Sequence, residues 1–207
     1  MGLKAVIFDL GGVVLASPLH TIARYELEKG IPEGFLNRVV RETGPDGAWS
    51  RHERGEIDME TFCSDFDLEC EQRGHLLPTK AVMEAIAASS GPRPEMIEAL
   101  ERLRSAALKT AALTNNWKSD GQDRYRLRPL FDHYVESSVV GLRKPDPAIY
   151  QHVLGALAVT ASEAAFLDDI GGNLKPARAM GMTTIKVVDA PQALGELGEA
   201  LGLDLLG

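Results

Sequence analysis

Five short apolar runs recur along the chain, and most of the intervals between them show apolar positions with helical spacing. Strands that alternate with helices are typical of a parallel sheet whose two faces are covered by helices. The runs predict strands at 5–10, 109–116, 133–141, 164–171 and 183–189. The intervening patterns predict helices at 94–106, 147–158, 173–181 and 190–202. The expected fold class is therefore α/β, with a Rossmann-like parallel sheet.

The interval from residue 16 to residue 92 breaks this alternation, because it contains no strand-like run. Its apolar positions predict four helices, at 20–30, 34–44, 58–74 and 79–91. The stretch AWSRHERGEI, residues 48–57, lies between two of them and is predicted to be a loop. We therefore predict a small helical cap at 16–92, inserted after the first strand of a core formed by 1–15 and 93–207.

Composition narrows the possible partners. The chain has 207 residues, 44% of them hydrophobic, and a net charge of −8. An acidic chain without a basic run is a poor candidate for nucleic-acid binding, and no stretch approaches the roughly 20 apolar residues of a membrane span.

Cys63 and Cys70 would lie roughly 10 Å apart on one helix, too far for a disulfide. We expect reduced cysteines and a cytoplasmic protein.

Polar side chains cluster where the predicted strands end. In an open parallel sheet, ligands bind beyond the carboxyl ends of the strands. The candidates at or after those ends are Asp9, Thr114, Asn115, Lys144, Asp168 and Asp169. Each alone suits a turn, a helix cap or a solvated loop. Together they are more specific, because Asp168 and Asp169 beside Asp9 would repel one another unless a cation joined them.

The order of four motifs carries a family resemblance. FDLGGVVL, LTNN, GLRKPDPAIYQ and FLDDIGGNLKPARAMGM together resemble the haloacid dehalogenase superfamily of aspartate-nucleophile hydrolases. More narrowly, the whole chain is similar to the phosphatase-like N-terminal domain of soluble epoxide hydrolase and its free-standing bacterial relatives. The resemblance implies a Rossmann-like core with a helical cap after the first strand. It also implies phosphatase activity.

The resemblance assigns roles to the strand-end residues. It implies that Asp9 attacks phosphorus and forms an aspartyl-phosphate, while Lys144 holds that carboxylate and neutralises developing charge. It implies that Thr114 and Asn115, through the backbone or side chain of the latter, hold the phosphoryl oxygens. Phosphoryl transfer depends mainly on positioning and charge stabilisation, which suits this set of residues.

The resemblance also implies a magnesium site. Its ligands would be the carboxylates of Asp9 and Asp169 and the backbone carbonyl of Gly11, with Asp168 and Asn173 in supporting positions. Mg²⁺ prefers a few carboxylates, retained waters and a substrate oxygen, and this set of residues leaves room for them.

Gly11 departs from the pattern of most phosphatases in the superfamily. They carry an aspartate there, which protonates the leaving oxygen and then activates water. Glycine keeps the carbonyl but loses the acid, and loss of a general acid typically lowers the rate by about 10²- to 10⁴-fold. Residues of the insertion that could replace the acid are His20, His52, Glu53 and Glu56.

Trp49 and Arg51 of the insertion are candidates for substrate binding, because an aromatic ring and a guanidinium suit a sugar or an anionic group. The expected substrate is a small phosphorylated metabolite, namely a sugar, acyl or lipid phosphate. Two alternatives stay open: a 2-haloacid dehalogenase, which would need no metal, and a catalytically weak binding module. A homodimer is possible.

Overall fold

A computed structural model describes residues 2–89, 91–117 and 125–206. Its centre is a five-stranded sheet in the order β3-β2-β1-β4-β5, in which every neighbouring pair is parallel. The strands are β1 (Ala5–Phe8), β2 (Lys109–Thr114), β3 (His133–Glu136), β4 (Ala164–Asp168) and β5 (Thr183–Lys186). The predicted α/β class and parallel sheet are confirmed.

Helices cover both faces of this sheet. The described helices are α1 (Pro18–Glu28), α2 (Phe35–Thr43), α3 (Ala48–Glu53), α4 (Met59–Glu71), α5 (Thr79–Ser89), α6 (Pro94–Ser105), α7 (Ser137–Val140), α8 (Pro147–Leu157), α9 (Gly171–Ala179) and α10 (Ala190–Leu201). Val6 and Phe8 of β1 pack in the cluster that contains residues of α6 and α10. Ala5 and Ile7 pack with residues of α8 and α9. All four residues of β1 are fully buried, as expected of a strand covered on both faces.

The predicted strand at 133–141 is wrong in its second half. β3 ends at Glu136, and residues Ser137–Val140 form the short helix α7. The Ser137 hydroxyl accepts a hydrogen bond from the Asn116 N–H, so its side chain is engaged with the loop after β2. Gly141 then takes a left-handed φ of 71° and ends the helix. The apolar pair Val139–Val140 looked like strand but belongs to this helical turn.

Helices α1–α5, which we call the helical insertion, lie between β1 and β2. They pack around their own apolar cluster, which includes Phe35, Phe62 and Phe66. The predicted loop at 48–57 is wrong over its first part, because residues 48–53 form α3. The division of the chain into a core and a cap, with boundaries after residues 15 and 92, stays a prediction.

The two cysteines lie on α4, and both are free thiols. In the part of the chain that the structure describes, no helix combines the length and the apolar character that a membrane crossing requires.

Candidate active site

Two neighbouring strands, β1 and β4, bring the acidic residues to one edge of the sheet. Asp9 follows β1, and its backbone N–H donates to the Leu167 carbonyl of β4 over 2.9 Å. Asp168 is the last residue of β4 and Asp169 follows it. Asp9 is 6% exposed and Asp168 is fully buried. The adjacent, parallel β1 and β4 therefore place these carboxylates together although they are about 160 residues apart in the sequence.

Lys144 lies between two of these carboxylates. Its Nζ is 2.9 Å from Asp9 Oδ1 and 2.7 Å from Asp168 Oδ2, and the side chain is 1% exposed. Burial opposes the charge of Lys144, but the two carboxylates outweigh burial and raise its pKa above the ordinary value. Asp9 Oδ1 also accepts a hydrogen bond from the Leu10 N–H at 2.7 Å. One oxygen of Asp9 is thus held by two donors.

Both carboxylate oxygens of Asp168 accept hydrogen bonds from neighbouring groups. Both of its carboxylate oxygens lie 3.1 Å from Asn173 Nδ2, and the Ile170 N–H donates to Oδ1 at 2.7 Å. Asn173 is a buried residue in the first turn of α9, and the Tyr150 hydroxyl donates to its carbonyl at 2.6 Å. These bonds orient Asp168 toward Lys144.

Asp169 leaves an acceptor without a donor. Its Oδ2 accepts from Ser17 Oγ at 3.2 Å, whereas its Oδ1 is buried and has no hydrogen-bond partner among the described residues. Burial, aided by the neighbouring Asp168, raises the pKa of Asp169. A buried acceptor without a partner is costly, so this oxygen is well placed to bind a cation.

The charge balance of the cluster also fits a divalent cation. Oxygens of Asp9, Asp168 and Asp169 lie within 4.8 Å of one another. Burial raises the pKa of Asp9 to about 8, which Lys144 only partly offsets and Asp168 reinforces. With all three carboxylates ionised, as ligation of a metal ion requires, one lysine would leave two excess negative charges. Hard oxygen ligands and this excess charge are what Mg²⁺ requires, so the residues present fit that ion.

Two glycines after β1 differ in what they tolerate. Gly12 has a φ of +82°, and a Cβ built there would overlap the Asp169 carboxylate. Gly11 has an ordinary backbone conformation, and a Cβ there would meet only Pro18, with Cδ at 3.3 Å. Gly12 thus gives Asp169 its space, whereas a side chain at Gly11 would require only that Pro18 move by a few tenths of an ångström.

We expect Gly12→Ala to weaken Mg²⁺ binding, because the new methyl group displaces Asp169. The left-handed φ adds strain of about 1–3 kcal/mol for a residue with a Cβ. Isothermal titration with Mg²⁺ should show a loss of affinity of about tenfold or more, the equivalent of ~1.4 kcal/mol. Gly171→Ala is the matched control, because a Cβ at Gly171 has no neighbour within 4 Å. Unchanged affinity in Gly12→Ala would show that Asp169 does not bind the ion.

Thr114 is the last residue of β2 and Asn115 follows it, but their side chains differ in how far they are free to bind a substrate. Thr114 lines the cavity described below. The Asn115 side chain is committed to the protein: its Oδ1 accepts from the Lys144 N–H at 2.8 Å, and its Nδ2 donates to the Lys144 carbonyl at 3.0 Å. The same Nδ2 lies 3.3 Å from Glu53 Oε2. Asn115 therefore holds the backbone of Lys144 with its amide, which leaves only its backbone for a substrate.

A cavity of about 1260 Å³ lies between the helical insertion and the strand ends. Asp9, Gly11, Lys144 and Asp169 line its floor. The insertion contributes a mostly apolar wall that includes Leu19, Ile22, Leu36, Val40, Trp49 and Ile86. A charged floor under an apolar wall suits a molecule with one anionic end and an apolar body.

The insertion residues predicted from the sequence separate into two groups. Trp49 lines the cavity and packs edge-on against Phe62 and Phe66. Arg51 pairs with Asp65 at 3.3 Å and is not among the lining residues, so the structure does not bring it to the strand ends.

Four residues were candidates for the missing acid. Among the described residues that line the cavity is Glu53, whereas His20, His52 and Glu56 are not lining residues. Glu53 pairs with Arg143, whose Nη2 lies 2.6 Å from its Oε2. Sequence reasoning missed Arg143, Ser17 and the need for Gly12. The position of Arg143 next to Lys144 in the sequence indicated that it could lie near the site. Its partner Glu53, however, lies on α3, which was predicted to be a loop.

Comparison with known proteins identifies the class. The family model of the haloacid dehalogenase-like hydrolases matches residues 3–181. The chain belongs to this family of hydrolases, which confirms the resemblance and the expected enzyme class. It is 36% identical over 222 residues to bifunctional epoxide hydrolase 2 of Sus scrofa, with all of this chain and 40% of that protein covered. The chain thus spans two-fifths of the length of this relative.

One further relative and one solved structure match this chain over nearly their whole length. The sesquiterpene phosphatase astK of Aspergillus oryzae is 27% identical, with 96% of this chain and 97% of that protein covered. A haloacid dehalogenase family enzyme of Bacteroides thetaiotaomicron, solved in complex with magnesium and inorganic phosphate, superposes with a TM-score of 0.62 at 21% identity. That superposition covers 95% of this chain and 99% of the other, and it shows a shared fold.

Proposed function

We propose that this hydrolase is a Mg²⁺-dependent phosphatase that forms an aspartyl-phosphate on Asp9. The observation that carries the proposal is the strand-end cluster: Asp9 and Asp168 share Lys144, and the neighbouring Asp169 has a buried oxygen to which no described residue donates. Such a cluster supplies a nucleophile, a fixed cation and ligands for a hard metal ion. The related phosphatase from Aspergillus oryzae supports the same activity.

The nucleophile is one carboxylate oxygen of Asp9. Because Leu10 N–H and Lys144 Nζ hold Oδ1, Oδ2 is the oxygen that would attack phosphorus. The bond from phosphorus to the leaving oxygen breaks as the bond to Oδ2 forms, and the leaving oxygen takes a proton from solvent water. Water then attacks phosphorus and loses a proton to solvent while the bond from phosphorus to Oδ2 breaks, which releases phosphate and frees the Asp9 carboxylate.

The metal ligands would be the carboxylates of Asp9 and Asp169 and the Gly11 carbonyl. Asp168 would support them through Lys144, and Asn173 keeps Asp168 in place. When bound, Mg²⁺ neutralises charge on the phosphoryl oxygens.

Lys144 and the end of β2 would complete the phosphoryl site. Lys144 keeps Asp9 oriented and offsets negative charge that develops during transfer. Thr114 Oγ1 and the Asn115 backbone N–H would hold the phosphoryl oxygens, since the Asn115 amide is occupied by Lys144.

We propose a substrate with an apolar body, which favours an acyl or lipid phosphate over a sugar phosphate. The support is the apolar wall of the cavity, to which Trp49 contributes its ring, and the similarity to the sesquiterpene phosphatase of Aspergillus oryzae. Because Gly11 carries no acid that could protonate the leaving oxygen, we expect faster turnover of substrates with good leaving groups.

Chain length provides a test of this substrate class. We expect kcat/KM to rise across the series from butyl to decyl phosphate, because each added methylene is buried against the apolar wall. Full burial gives about 0.8 kcal/mol per methylene, or roughly fourfold in kcat/KM. Glucose 6-phosphate serves as the polar comparison. A flat series, or a preference for the sugar phosphate, would contradict the apolar assignment.

Metal dependence separates the phosphatase from the dehalogenase alternative. We expect hydrolysis of alkyl phosphates with Mg²⁺ and none in EDTA, with activity restored by added Mg²⁺. A dehalogenase would instead release chloride from 2-chloropropionate at full rate in EDTA, because attack on carbon needs no metal. That second result would overturn the proposed function.

A further inference from the structure

Glu53 forms a buried connection between the helical insertion and the core. It is the last residue of α3 and is 8% exposed. Its Oε2 lies 2.7 Å from Arg143 Nε and 2.6 Å from Arg143 Nη2, and 3.3 Å from Asn115 Nδ2. Its Oε1 accepts from Trp49 Nε1 at 3.0 Å. One carboxylate thus joins the insertion to two separate loops of the core.

The backbone of Glu53 adds a second contact to the same part of the core. The Ser137 hydroxyl donates to the Glu53 carbonyl at 2.6 Å, and it accepts from the Asn116 N–H at 2.9 Å. The end of α3 is therefore docked on the loop after β2 and on the start of α7.

These loops hold Lys144. Arg143 is its neighbour in the chain, and Asn115 bonds both the N–H and the carbonyl of Lys144. A shift of Glu53 would release Arg143 and one donor of Asn115, and both are directly connected to Lys144. The contacts of Glu53 thus lead to the ammonium group between Asp9 and Asp168.

The chain enters and leaves the insertion at two adjacent crossings, which backbone hydrogen bonds join to each other. There the Ala16 N–H donates to the Gly91 carbonyl at 2.8 Å, and the Arg93 N–H donates to the Val14 carbonyl at 2.9 Å. Rotation about two adjacent crossings is a common route of lid opening in enzymes. The Glu53 contacts use none of the residues at these crossings, so they would have to break if the insertion rotated away from the core.

We infer that Glu53 is a positioning residue that latches the helical insertion closed and thereby sets Lys144 in place. This inference extends the proposed phosphatase function. Only the expected effect of Glu53 on turnover rests on that function. When the insertion is open, water solvates Glu53 and Arg143 separately. When the insertion is closed, they pair, with Glu53 buried and the Arg143 side chain 21% exposed. The full set of contacts around Lys144 therefore exists only in the closed state. Glu53 is poorly placed to replace the acid missing at position 11, because both of its oxygens accept hydrogen bonds.

Hydrogen exchange tests the latch without any assay of activity. We expect Glu53→Gln and Arg143→Gln to raise amide exchange in residues 48–55, 113–117 and 141–146 of the full chain with Mg²⁺ present. Glu42→Gln is the matched control, because Glu42 pairs with Arg73 at 3.0 Å inside the insertion. It should leave those segments unchanged. Wild-type exchange at 141–146 in Glu53→Gln would overturn the latch.

Turnover gives the second readout and separates positioning from acid catalysis. In Glu53→Gln we expect kcat to fall about 10- to 100-fold, equally for p-nitrophenyl phosphate and decyl phosphate, because small displacements of catalytic groups have effects of that size. Arg143→Gln should match it, and the double variant should be no slower than the slower single variant. Loss confined to decyl phosphate, the poorer leaving group, would instead identify Glu53 as the acid. If the wild type hydrolyses no phosphomonoester, the proposed function fails, and hydrogen exchange alone then decides the latch.

Discussion

Replacement of Asp9 by Asn should abolish phosphomonoester hydrolysis while leaving the protein folded. We expect a loss of about 10⁴- to 10⁶-fold in kcat, because the amide cannot attack phosphorus. The new side chain is nearly isosteric and keeps an oxygen for the Leu10 N–H. Steady-state kinetics with Mg²⁺ and p-nitrophenyl phosphate measure the loss.

The thermal midpoint should not fall in the same variant. Burial raises the pKa of Asp9 to about 8, and Asp168 and Asp169 repel its charge, so a neutral side chain is tolerated there without metal. Asp189→Asn is the matched control: Asp189 follows β5 in the same sheet and caps α10 by accepting from the Gln192 N–H. Asn also caps helices well, so this control should retain activity. More than a tenth of wild-type activity in Asp9→Asn would exclude Asp9 as the nucleophile.

Replacement of Lys144 by Met should cost both activity and stability. Methionine fills a similar volume but leaves Asp9 and Asp168 buried with no cation. Removal of one partner from a buried ion pair typically lowers the free energy of unfolding by about 3–5 kcal/mol. Loss of a preorganised charge at a transferring group lowers kcat by about 10²- to 10³-fold. Urea unfolding without Mg²⁺ and kinetics with Mg²⁺ measure the two effects.

Added Mg²⁺ should recover part of the lost stability in Lys144→Met, because the ion supplies positive charge to the same carboxylates. Lys175→Met is the control, since Lys175 is an exposed residue of α9. It should change neither measurement by more than a few tenths of a kcal/mol, about the usual range for surface substitutions. Wild-type stability and kcat in Lys144→Met would contradict the central place of this lysine.

The strands could be predicted from the sequence because both faces of the sheet are covered. Every residue of β1 and β4 is buried, so each strand stands out as an uninterrupted apolar run. The strand ends were less predictable. Val139 and Val140 extend the run after β3, but the Ser137 hydroxyl is engaged by Asn116 and the chain turns into α7.

The meeting of the carboxylates could also be predicted, since the carboxyl ends of adjacent parallel strands share one edge. The link from Glu53 to Arg143 could not. It joins positions 90 residues apart. It also depends on α3, which has only six residues and is fixed by contacts of Trp49 with Phe62 and Phe66 on α4. A helix that short leaves no periodic pattern in the sequence. The double engagement of the Asn115 amide was hidden for the same reason, because its partners come from other elements.

The most direct test of the account is to trap the phosphoenzyme. The enzyme is mixed with Mg²⁺ and a radiolabelled phosphomonoester, quenched in acid within one turnover, and digested for peptide mapping. We predict label on the peptide that contains Asp9, lost on treatment with hydroxylamine as expected of an acyl phosphate, and absent from both Asp9→Asn and an EDTA-treated sample. Rapid turnover without label, or label that persists in Asp9→Asn, would contradict a covalent mechanism on this residue.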